Sequence, residues 1–72
     1  MHVSYDKIAD AVYISLKGIK PKSVKHIIAL NDDIIVDFDE NNKIVGIEIL
    51  SASKNLAPRE LEEVKAIAFS SL

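Results

Sequence analysis

The stretch Ile34-Ile35-Val36-Asp37-Phe38-Asp39-Glu40-Asn41-Asn42-Lys43-Ile44-Val45-Gly46-Ile47-Glu48-Ile49-Leu50 admits two readings, and the choice between them decides the fold. From Asp37 to Glu48 it fits the calcium loop of an EF-hand. Asp37, Asp39 and Asn41 offer oxygen at alternate positions, and Glu48 stands where a closing carboxylate belongs. Such a loop needs a helix on either side. Here the flanks, Ile34-Ile35-Val36 and Val45-Gly46-Ile47, are β-branched strand sequence. Asn42 replaces the usual glycine and suits the left-handed position of a tight hairpin turn. In a hairpin, Glu48 lies well up the returning strand and cannot close over an ion held at Asp37. The stretch therefore reads as strand 34–39, an acidic turn and strand 43–50, with Ile34, Val36, Phe38, Val45, Ile47 and Ile49 inward. Gly46 falls on the outer face, where a close neighbour excludes a side chain.

Upstream, strands are expected near 3–5, 11–16 and 24–30, and one helical turn near 6–10 capped by Asp6. Val12, Ile14 and Leu16 share one face, with Tyr13 and Ser15 on the other. Ile27-Ile28 interrupts the alternation of the third strand. Downstream, Ser51 to Ala57 reads as polar and irregular. Pro58 then opens a helix over 58–70, with Glu60, Glu62 and Glu63 in its early turns, where the helix dipole favours acids. Leu61, Val64, Ile67 and Ala68, with Leu72, make its apolar stripe. The expected architecture is a small α+β domain: an antiparallel sheet of four or five strands with one C-terminal helix packed on one face.

Composition limits the function. The chain has 72 residues, 49% hydrophobic and 28% charged, which marks a folded domain rather than a disordered one. Eleven Ile, six Val and six Leu lean it toward sheet. A net charge of −2 argues against a nucleic-acid footprint, although Lys17, Lys20, Lys22 and Lys25 form one basic cluster. Without cysteine there is no disulfide framework and no thiol chemistry. No apolar run is long enough to span a membrane, and Met1-His2-Val3-Ser4-Tyr5 does not begin a signal peptide, so a cytoplasmic setting is expected.

No catalytic residue emerges. Asp6, Asp10, Asp32 and Asp33 each have a local task in a turn or cap. His2 and His26 belong to no motif, and no glycine-rich phosphate loop exists. A metal or cofactor is not expected; Asp37, Asp39, Asn41 and Glu48 stand as the alternative, a divalent-cation site or small metal-dependent enzyme. One helix covers one sheet face, not two. Tyr13, Ile35, Ile44 and Leu50 on the other face are the candidates for a self-association surface. In a chain this small, the gain from burying apolar surface and the cost of ordering the backbone nearly cancel, which favours association.

Several segments together resemble the small prokaryotic domain-of-unknown-function family 2283. They are Tyr5-Asp6, Asp10-Ala11-Val12-Tyr13-Ile14, Ile35-Val36-Asp37-Phe38-Asp39, Ile44-Val45-Gly46-Ile47-Glu48-Ile49-Leu50 and Ala52-Ser53. The resemblance spans roughly residues 3 to 56. It departs from the family pattern at Asn42, where glycine is usual. It implies a compact sheet-rich fold and brings no activity, substrate or catalytic residue. The functional expectation is thus a non-catalytic protein-interaction module, a homodimer or higher oligomer, that regulates or neutralises a partner protein.

Overall fold

The computed structural model describes residues 1–16 and 24–70. Five strands come first: β1 (His2–Asp6), β2 (Ala11–Ser15), β3 (His26–Ala29), β4 (Ile34–Phe38) and β5 (Ile44–Ile49). A one-turn helix α1 (Ala52–Asn55) and a longer helix α2 (Pro58–Ser70) follow. All strands pair antiparallel in one sheet of order β1-β2-β5-β4-β3. The α+β fold is the one expected, with helix bounds of 58–70 and strands within a residue or two of those anticipated.

The hairpin turns share one device. Asp6 Oδ1 accepts the N–H groups of Ile8 and Ala9, both at 3.0 Å. Asn31 Oδ1 accepts those of Asp33 and Ile34 at 2.8 and 2.9 Å. Asp39 Oδ1 accepts those of Asn41 and Lys43 at 2.8 and 3.0 Å. A short polar side chain thus satisfies turn amides that no strand can reach. The helical turn expected at 6–10 does not form, although Asp6 makes the bonds of a cap. Ile8 is 99% exposed, so no apolar contact rewards continuing the helix. Asp10 at φ 53 turns the chain back into β2. Asn42 takes the left-handed position expected of it, at φ 61.

The β4–β5 ladder shifts register between Asp37 and Phe38. Gly46 faces Asp37 and Ile44 faces Phe38, which leaves Val45 as the extra residue of a bulge. Val45 is fully buried while Ile44 is left exposed.

Residues 51–57 are not irregular throughout. Ser51 adopts φ 50, α1 follows, and Ala52 is fully buried with its N–H donated to Asp10 O at 2.8 Å. The core gathers Val3, Val12, Ala52, Leu61 and Ala68, with Tyr5, Ile14, Ile49, Leu56 and Val64 packed around it. Two residues expected inside are outside: Leu16, just past β2, and Ile67 on α2 are both exposed. Ile67 lies off the seam because α2 packs along β1 and touches α1 instead of crossing the middle of the sheet. The core therefore belongs to one end of the molecule. At the other end every residue of β3 is exposed.

Candidate functional site

Tyr13 stands on β2 opposite Glu48 of β5, on the sheet face away from the core cluster. Its ring lies over Gly46, where a Cβ would run into the phenol. This is the close neighbour the sequence implied. The hydroxyl donates to Asp37 Oδ2 on β4 at 2.8 Å, so one side chain spans three strands. Burial, then the bond to the Asp37 carboxylate, push the phenol up to about 12. It stays protonated at neutral pH and serves as a donor, which unfits it as a nucleophile or general base.

A second cluster joins the first hairpin to α1. Asp10 accepts from the Ser53 hydroxyl at 2.5 Å, from the Ser53 N–H at 3.1 Å and from the Tyr5 hydroxyl at 3.0 Å. The Ser53 hydroxyl bond is the foremost cause that holds the Asp10 carboxyl below its ordinary range. Burial, then the bond to Asp10, raise the Tyr5 phenol. Lys65 Nζ sits 5.3 Å from the centroid of the Tyr5 ring. Beside it, a hollow of about 350 Å³ is lined by Tyr5, Lys7, Lys65 and Phe69. Lys65 is already paired with Glu62 at 3.2 Å. The hollow offers an open apolar wall and no free acid–base pair.

Ser15 is fully buried, and its Oγ has no hydrogen-bond partner among the described residues. His2 faces it across the β1–β2 ladder. No bond joins the two, and a sealed hydroxyl is no nucleophile for an outside substrate. His26 stacks on Phe38 with centroids 5.1 Å apart.

The cation candidates sit at separate tasks. Asp37 accepts from Tyr13, Asp39 is 3% exposed and feeds its own turn, Asn41 lies exposed in that turn, and Glu48 is half-buried in β5. Among the described residues, no three of His, Asp or Glu are placed to hold one ion. Of the surface candidates, Tyr13 and Ile35 flank Glu48 in one row across β2, β5 and β4. Ile44 is exposed at the bulge. Leu50 is half-buried just past β5 and donates its N–H to Asp33 O at 2.7 Å. Lys17, Lys20 and Lys22 of the basic cluster lie outside the described residues; Lys25 is exposed beside β3.

Sequence reasoning missed the most exposed apolar group of the sheet. Ile27 is 60% exposed, Ile28 48% and Leu30 67%. The signal was the doubled Ile27-Ile28, which puts one isoleucine on each face of a strand with no neighbour beyond it. None of the helices among the described residues is long and apolar enough to cross a membrane.

The family model described as a protein of unknown function (DUF2283) matches residues 2–53, which takes in all five strands and the Asp10–Ser53 junction. The chain belongs to this family. Uncharacterized protein MJ0789 of Methanocaldococcus jannaschii is 44% identical over 52 residues, covering 72% of this chain and 41% of that protein. The chain thus spans about two fifths of the length of the relative it matches. No solved structure matches it.

Proposed function

We propose that the protein is a non-catalytic interaction module that works by self-association, and that the assembled form is the one that regulates a partner protein. The observation behind this reading is the bare end of the sheet. α2 lies along β1, while Ile27, Ile28 and Leu30 at the opposite end stay exposed. Apolar side chains grouped on a sheet edge mark an association surface more often than isolated ones do. Ile35, one strand inward and opposite Ala29, extends that surface. A folded unit this small also gains much from burying more apolar area.

The polar groups support the non-catalytic half. The Tyr13 phenol is held protonated against Asp37, Asp10 is saturated by Ser53 and Tyr5, and Ser15 is sealed. A cytoplasmic setting fits a chain without cysteine. Sedimentation equilibrium from roughly 10 μM to 1 mM tests the reading. The mass is expected to climb from 8.0 kDa toward twice that value with concentration. A monomer throughout removes the proposal.

A further inference from the structure

We infer that β3 pairs antiparallel with β3 of a second copy about a two-fold axis at Ile28, fusing two five-stranded sheets into one. The inference rests on the self-association reading and names its surface. The backbone sets the phase. Leu30 donates its N–H to Ile34 O at 2.8 Å, so Leu30, Ile28 and His26 turn their polar groups toward β4. Ile27 and Ala29 then turn theirs to the open edge. Only three axes let such residues face each other. An axis at Ile27 sets Ala29 against Lys25, whose N–H is already given to Phe38 O at 2.8 Å. An axis at Ala29 sets Ile27 against Asn31, which has entered the β3–β4 turn. The axis at Ile28 sets Ile27 against Ala29 twice, for about four hydrogen bonds.

Charge and shape favour a second copy as the occupant. Lys25 precedes the strand and the exposed Asp32 follows it, with no acid or lysine between them. Antiparallel pairing brings Lys25 of each copy alongside the Asn31-Asp32 corner of the other. Parallel pairing would set lysine beside lysine. Ile28 meets Ile28 on the axis, and His26 meets Leu30 beside it. The edge carries none of the usual guards: no proline, no charge within the strand, and no helix laid over it among the described residues. Four residues present less than the ~800 Å² per partner of tight interfaces, so pairing is expected in the high micromolar range.

Ile27→Pro is the decisive variant. It deletes an edge-facing N–H that β4 does not use, so the fold should persist by circular dichroism while the dimer is lost. Ile28→Lys, which opposes two like charges on the axis, should weaken association at least ~10-fold. Ile8→Lys, in the β1–β2 turn at the far end of the sheet, should leave the dimer in place. In the wild-type chain, amide exchange at Ile27 and Ala29 should slow as concentration rises. A folded Ile27→Pro protein that still dimerises, or a concentration-independent exchange rate at those two amides in a dimerising sample, overturns edge pairing and leaves self-association standing. A wild-type chain that never dimerises overturns both.

Discussion

β1 and β3 are the two edges of the same sheet, and they meet opposite fates. β1 is roofed by α2, and its Tyr5 is fastened to Asp10, which is fastened to Ser53. Val3 contributes to the core. β3 has an aliphatic sequence just as suited to burial, and nothing in its own chain among the described residues buries it. Edge strands are ordinarily protected or put to use. The difference teaches that the apolar content of a strand does not say who will cover it.

The largest effect that would break this contrast is a truncation on each side. Leu61→Ala should cost about 2–4 kcal/mol, because it empties a packed position between α2 and β1. Ile28→Ala, measured below the dimerisation range, should cost less than about 1 kcal/mol, since half of that side chain is already in water. Urea unfolding at low protein concentration measures both. Equal losses would mean the two ends are equally packed.

Gly46→Ala probes the middle, where the two halves join. Its methyl group must displace the Tyr13 ring, so a loss of about 1–3 kcal/mol is expected. The Tyr13 ultraviolet titration should fall back toward 10 as the displaced ring is exposed to water and its bond to Asp37 breaks.

Titration separates the regions next. The folded-state pKa of Tyr13 is raised from 10.0 to about 12, so its contribution is complete below pH 10 and is lost as pH climbs between those values. Asp10 moves the other way: its pKa is lowered from 3.8, so its contribution is present above that value and lost as pH falls below it. Asp10→Asn should flatten the acid limb of a melting-temperature profile and weaken the Tyr5 share of the alkaline limb, while the Tyr13 share stays. A lost Tyr13 shift in that variant would tie the two clusters together. The smallest effect has the opposite sign: Ser15→Ala should be neutral or stabilising by up to ~1 kcal/mol, since it deletes a buried hydroxyl that has no partner among the described residues. Thermal melts check it.

Much of this was legible in the residues. The doubled signal of Asn42 and alternating flanks identified the central hairpin, and Gly46 announced a crowded outer face. Pro58 and the early acids marked the helix. What stayed hidden was made by distance. Asp10 meets Ser53 across 43 positions, so neither their bond nor the short α1 beside it leaves a local pattern. The stripe on α2 shows that one face is buried, not which strand it lies on, which is why Ile67 was placed inside. Alternation likewise reports faces and is silent about edges, so β3 announced itself only through Ile27-Ile28.

β5 is the last strand in sequence, yet it occupies the centre of the sheet. A growing chain can close the β1–β2 and β3–β4 hairpins early, but neither has a neighbour until β5 emerges to bridge them. Isolated hairpins are marginal. Folding should therefore be late and abrupt, with a transition state organised around the β2–β5 seam.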